Sequence, residues 1–152
     1  LDLFSQQYLF SHLGVIDFEW QMMPNDVVFA SGDLRLRPRD MAKFGCLFLE
    51  NGIWEGEQII SRDWIQVSTD LHFQLNYDWA DLDGYGFQWW IWEDIGGEEV
   101  DAYAAAGWGA QWIVVVPEYD MVVVSTAGHY FSAETFPIHT ILADYILPAI
   151  VQ

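Results

Sequence analysis

The stretch "AGWGAQWIVVVPEYDMVVVST", residues 106–126, decides the fold. Two apolar, β-branched runs, Trp112 to Val116 and Met121 to Val124, flank Pro117-Glu118-Tyr119-Asp120. The pattern predicts strand, tight turn, strand, with side chains suited to a buried sheet. The head of this hairpin is unusual. Ala106, Gly107, Gly109 and Ala110 weaken a strand because small residues add chain entropy and leave little to pack. A sheet tolerates them where something comes close to its backbone.

Working outward, "YGFQWWIW" (85–92) predicts another strand, followed by an acidic turn at 93–99 and the approach "DAYAAAG" (101–107). Together these form an antiparallel meander of three strands, two of them buried on both faces. A closing helix is expected over 134–150, with Ile138, Ile141, Leu142, Tyr145 and Ile146 on its apolar side. Upstream, a helix opens at Pro38, with Asp40 placed to meet the helix dipole. Met41, Phe44, Leu47 and Phe48 share one face of it, and Asn51-Gly52 ends it. "IWEGEQII" (53–60) reads as a short extended pair around Gly56, and Ser61 caps a second helix over 62–69. Residues 1–10 fit the end of a helix, 11–33 are irregular, and 70–84 form an acidic surface loop. Helices, then an antiparallel meander, then a covering helix make an α+β fold. A three-stranded sheet is thin for so many buried-type Val and Trp residues, so partner strands are expected from outside the chain.

At 152 residues, the chain has the material of one domain, 1–152, with no linker or repeat dividing it. A hydrophobic fraction of 53% excludes a disordered polymer. Its longest apolar run, cut by Pro117, falls short of a membrane span. The chain opens on Leu1 without a basic segment ahead of an apolar one, so no leader is expected within it. That fits a processed chain as well as a piece of a longer one. The single cysteine, Cys46, excludes an internal disulfide and is expected as a small core residue.

The formal net charge is −18, and from Asp63 onward there are fourteen acidic residues and no basic one. Nucleic-acid binding, which needs Lys and Arg to displace counterions, is disfavoured. The acidic surface is read as solvating. His12, His72, His129 and His139 show no metal-ligand spacing, and no calcium-loop motif occurs.

Sequence motifs for nucleophile elbows, phosphate loops and zinc proteases are absent. Ser125, His129 and Asp120 could be written as a triad, but all three lie on one hairpin at too tight a spacing. Nine Trp either fill the core or form a sugar-stacking platform. For "AGWGAQ" two readings stand. A substrate acyl group could lie against the backbone, with an N–H donating to a developing oxyanion. Alternatively, the small residues mark a bulge or a close helix.

Several separated blocks together resemble one family. "ASGDLRLRPRDMAKFGCLFLENGIWEGEQIISRDWIQVST" (30–69) resembles the helix-turn-helix block of the β-lactamase-related serine hydrolases, which include class C β-lactamases, D-alanyl-D-alanine carboxypeptidases, esterases and nylon-oligomer hydrolases. Leu34, Arg35, Asp40, Ala42, Phe44, Gly45, Leu47, Gly52, Trp54 and Gly56 match the block's pattern. "YGFQWWIW", "GWGAQWIVVVPEYDMVVVSTAGHY" and "YILPAI" look like the family's closing strands and last helix. The resemblance covers roughly residues 12–150. It implies the C-terminal part of a β-lactamase/transpeptidase-like α/β domain, whose remaining strands come from an N-terminal part.

The family's chemistry rests on three elements. The first is S-x-x-K, whose Ser attacks an acyl carbon while the Lys helps remove its proton; no Ser here has Lys three residues later. The second is Y-x-N, and no Tyr here has Asn two residues later. The third is K-T-G, often replaced by H-x-G or W-G-G. Trp108, Gly109 and Ala110 match it, and the backbone N–H of Gln111 would complete the oxyanion hole. Trp108 in place of Lys or His leaves no charge for a substrate carboxylate, which tilts the expected substrate toward small esters or neutral amides. Ala110 stands where Gly is usual, as does Asp33 where a small residue is usual.

By resemblance, the chain is the C-terminal segment of a serine hydrolase working through an acyl-enzyme without metal or organic cofactor, and it is inactive alone. Many relatives are exported, which points to the periplasm or secretion. Two alternatives stay open: a non-catalytic module that binds glycans or self-associates through sheet edges, and a degenerate homologue that kept the fold and lost the chemistry.

Overall fold

A computed structural model describes residues 1–75, 82–130 and 137–150. The chain opens with α1 (Asp2–Ser5), which continues into a wider π-type turn over Gln6–Phe10. Two small ribbons follow. β1 (Phe18–Trp20) pairs with β4 (Leu34–Leu36), and between them β2 (Met22–Met23) pairs with β3 (Val27–Val28). Next come α2 (Pro38–Leu49), the ribbon β5 (Ile53–Trp54) with β6 (Glu57–Gln58), and α3 (Arg62–Thr69). Pro38 opens α2 as expected, and the Ser61 hydroxyl accepts the Trp64 N–H to cap α3.

The remaining strands are β7 (Phe73–Gln74), β8 (Gly84–Tyr85), β9 (Trp90–Trp92), β10 (Ala102–Gly107), β11 (Gln111–Val116) and β12 (Met121–Ser125). They form one six-stranded antiparallel sheet in the order β12-β11-β10-β9-β8-β7, so the architecture is α+β. The chain ends with α4 (Ile138–Ile141), a π-type turn over Leu142–Ile146, and α5 (Leu147–Ile150).

Strand alternation sorts the core into layers. Ala102, Ala104, Trp112, Val114 and Val116 face the C-terminal helical stretch, where they bury Ile138, Leu142 and Leu147. Ile91 and Val115, with Tyr103 and Val122 beside them, face Phe48 of α2 and Ile65 of α3. Val114, Val115 and Val116 are wholly buried, and each is worth about 1.5–3 kcal/mol of hydrophobic stabilisation. A third cluster, Phe10, Leu13, Val15 and Leu47, fastens the N-terminal segment to α2. Lys43 adds a polar tie there, pairing with Asp40 at 2.8 Å and donating to the Gly14 carbonyl at 3.1 Å.

Helix α2 sits close on the sheet because Gly45 has no side chain. A Cβ there would stand 2.5 Å from Val122 Cγ1 and 2.9 Å from Ile113 Cγ2. Asp33, which the sequence left without a reason, has φ of 56°. That left-handed backbone suits glycine, and Asp is among the few other residues that tolerate it.

Five sequence expectations need correction. Segment 11–33, expected to be irregular, holds the short strands β1, β2 and β3. The sheet has six strands, not three. "YGFQWWIW" is two strands, because Gly86 donates to the Trp89 carbonyl across a tight turn with Gln88 at φ 68°. Segment 70–84 contains β7, although residues 76–81 lie outside the described residues. β11 is buried on both faces, but β12 is half-buried throughout because it forms the sheet's edge among the described residues.

Two residue-level expectations shift as well. Cys46 is half-buried rather than part of the core. Tyr145 is 71% exposed, because the π-type turn advances the buried register from Leu142 to Leu147. The expected helix start at Glu134 lies outside the described residues.

Candidate active-site turn

Trp108, Gly109 and Ala110 form the three-residue turn that links β10 to β11, and Gly107 pairs with Gln111 at its base. The four residues expected at the site are therefore contiguous at one end of the sheet. Gly109 and Ala110 both have positive φ, 85° and 67°. For Ala110 this conformation costs about 1 kcal/mol, and glycine would escape the cost. Its methyl is buried in the main core cluster, so it fills core and not the space above the turn. Trp108 is 71% exposed.

The segment after β12 props the turn. Gln111 Nε2 donates to the Gly109 carbonyl at 3.0 Å and to the Ala127 carbonyl at 2.5 Å. His129 N–H donates to the Gly109 carbonyl at 3.2 Å, and Ser125 Oγ donates to the Ala110 carbonyl at 3.4 Å. The Tyr130 ring lies against Gly109, where a Cβ would come within 2.2 Å of it. Gly109 thus answers two demands, a positive φ and a ring packed on its α-carbon. The supporting roles of Ala127, His129 and Tyr130 went unseen in the sequence. Only the adjacency of the two strand ends across the hairpin could have signalled them.

Ser125, His129 and Asp120 do not assemble as a triad. Asp120 is in the β11–β12 turn, about 17 Å along the strand from Ser125 at the ordinary rise per residue. Lys43, the only lysine, is engaged in its helix with Asp40.

Beside the turn, the edge of β10 is open. β9 pairs with β10 only from Ala102 to Ala104, so among the described residues Ala105, Ala106 and Gly107 have no strand on that side. Their side chains are a methyl, a methyl and a hydrogen. The tight turn before Trp90 approaches the same place, because Trp90 pairs with Ala104. Among the described residues the result is a small-residue strand edge, half-buried at Ala105 and Ala106 and exposed at Gly107, that ends in a braced turn. It can hydrogen-bond an extended acyl group. Among the described residues, no group of His, Cys, Asp or Glu is placed to hold a metal ion. Among the described residues, no helix is long and apolar enough to cross a membrane.

Solved structures share this fold. A candidate 6-aminohexanoate-dimer hydrolase from Bacillus anthracis superposes with a TM-score of 0.72 at 23% identity, over 96% of this chain and 37% of that one. An octameric penicillin-binding protein homologue from Pyrococcus abyssi gives 0.68 at 16% identity, over 98% and 37%. A candidate β-lactamase from Bacteroides dorei gives 0.67 at 13% identity, over 97% and 50%. The chain therefore has the fold of β-lactamase-related hydrolases and spans between 37% and 50% of the length of these proteins. No family model and no curated protein matches it.

Proposed function

We propose that this chain is the C-terminal part of a serine acyl hydrolase acting on small esters or neutral amides. The observation that carries this reading is the open, small-residue edge of β10, which runs into the braced turn Trp108-Gly109-Ala110. In the intact protein, a serine from the remaining polypeptide adds through Oγ to the substrate carbonyl carbon. The oxyanion takes a hydrogen bond from the Gln111 N–H, and the C–O or C–N bond breaks as the leaving alcohol or amine departs with the proton the serine gave up. Water then attacks the acyl-serine and frees the acid and the serine. The neutral Trp108 indole borders the site where a Lys or His would select for a substrate carboxylate. In this reading the outer edge of β12 pairs with a strand from the same remaining polypeptide.

Hydrolysis of p-nitrophenyl butyrate tests the reading when the longer gene product is compared with residues 1–152. Turnover by the longer product and none by the short chain is the expected result. Equal turnover by both would place the nucleophile inside the chain and refute it.

A second reading, a non-catalytic binding module, has an observation of its own. Trp64 and Phe87 stack at 6.0 Å, His72 stacks on Phe87 at 4.3 Å, and both Trp64 and Phe87 are substantially exposed. Such a platform can carry a sugar ring. Calorimetric titration with soluble glycans, compared between the native chain and Trp64→Ala, separates the two readings.

A further inference from the structure

A second site lies on the α3 side of the sheet. Between the end of α2, the length of α3 and the start of β10 is a cleft of about 450 Å³, within the range that holds a small organic ligand. Phe48, Leu49, Ile65 and Pro117 supply its apolar lining. Arg62, Asn51, Gln66 and Tyr103 add polar groups to its wall.

Arg62 is the last cation in the sequence, followed only by acidic and neutral residues to the C-terminus. Arg35, Arg37 and Lys43 each pair with a carboxylate, but among the described residues Arg62 forms no ion pair. Tyr103 reaches the cleft because it is the outward-alternating residue between Ala102 and Ala104, which face the other core layer. Burial pushes its phenol well above the ordinary range, so its hydroxyl stays protonated and remains a hydrogen-bond donor through neutral pH. The cleft is about 13 Å along β10 from the turn at Gly107, far enough to be a separate site.

We propose that this cleft binds a small monocarboxylate with an apolar body, the Arg62 guanidinium holding the carboxylate and the Phe48, Leu49, Ile65 and Pro117 lining receiving the body. One planar guanidinium matches one carboxylate in a two-point hydrogen-bonded pair. A net charge of −18 works against multivalent anions such as phosphate, for which a single cation offers too little compensation. The apolar lining requires a ligand with hydrocarbon to bury.

Titration of the chain with 4-phenylbutyrate and hexanoate, followed by calorimetry and ligand-observed NMR, tests this assignment. Saturable binding is expected with a Kd on the order of 1 mM for at least one of the two acids. The neutral 4-phenylbutyramide and inorganic phosphate should each bind at least about tenfold more weakly. Arg62→Gln, at an exposed position, should weaken acid binding about tenfold, and Tyr103→Phe about threefold. Arg39→Gln, which alters a cation outside the cleft, should leave binding unchanged. Unchanged binding by Arg62→Gln, equal binding of acid and amide, or no saturation by either acid up to about 20 mM would each overturn the proposal.

Discussion

Replacing Gly45 by alanine sets two effects of known size against each other. Inside a helix, Gly→Ala gains about 0.8–1.0 kcal/mol in propensity. Here the new Cβ would stand 2.5 Å from Val122 Cγ1 and 2.9 Å from Ile113 Cγ2, about 1 Å inside the best carbon–carbon separation. Both neighbours are β-branched and stiff at χ1, and both are strand residues held by the sheet. Helix α2 must therefore lift, at an overpacking cost of about 1–3 kcal/mol. The second effect wins, and a net loss of about 1 kcal/mol is expected. Urea unfolding should show a lower midpoint at an unchanged slope. Truncating the clashing partner should restore the balance: Val122→Ala should cost at least about 1 kcal/mol less in the Gly45→Ala background than alone. A rise in stability of about 1 kcal/mol for Gly45→Ala would refute the idea that this glycine exists for close approach.

Other perturbations reach other parts of the account. Asp33→Val, which forces a β-branched residue into φ 56°, should cost about 1–2 kcal/mol by urea unfolding, whereas Asp33→Gly should stay within about 0.5 kcal/mol. Gln111→Met removes the two hydrogen bonds that its own side chain gives to the turn and its neighbouring segment and should cost about 1–2 kcal/mol. In the longer gene product the proposed mechanism expects it to lower kcat more than it raises KM, because it would loosen the proposed oxyanion donor. The Tyr103 phenol is raised in the folded state, so its contribution to stability is complete below the ordinary tyrosine pKa of about 10 and is lost as pH climbs through the folded value. Unfolding free energy should therefore fall between about pH 10 and pH 12, and Tyr103→Phe should flatten part of that slope.

The strongly patterned elements were legible in the sequence. Pro38, the apolar spacing of α2 and the Ser61 cap each gave a local signal that the structure bears out. The β11–β12 hairpin was equally plain, since its Val-rich runs and Pro117 turn leave little choice. What escaped the sequence was non-local. Strands of two residues, such as β7 and β8, carry no periodicity, and the turn at Gly86–Trp89 uses Gln88 where Gly or Asn would have announced it. The π-type turn at Leu142 moves the buried register without any compositional mark. For the candidate site, the small residues drew attention to residues 106–111, but the bracing by Gln111, Ser125, His129 and Tyr130 depends on where β12 ends. The open edge at Ala105–Gly107 depends on where β9 begins.

The central claim is that this chain supplies the oxyanion strand of a serine hydrolase whose nucleophile belongs to the rest of the polypeptide. Its most direct test is to treat the longer gene product with a fluorophosphonate probe and locate the adduct by peptide mass mapping. One modified serine is expected, in an S-x-x-K sequence outside residues 1–152, and none among the serines within them. A stoichiometric adduct on Ser125 or any other serine of this chain would contradict it, as would a longer product that takes up no probe.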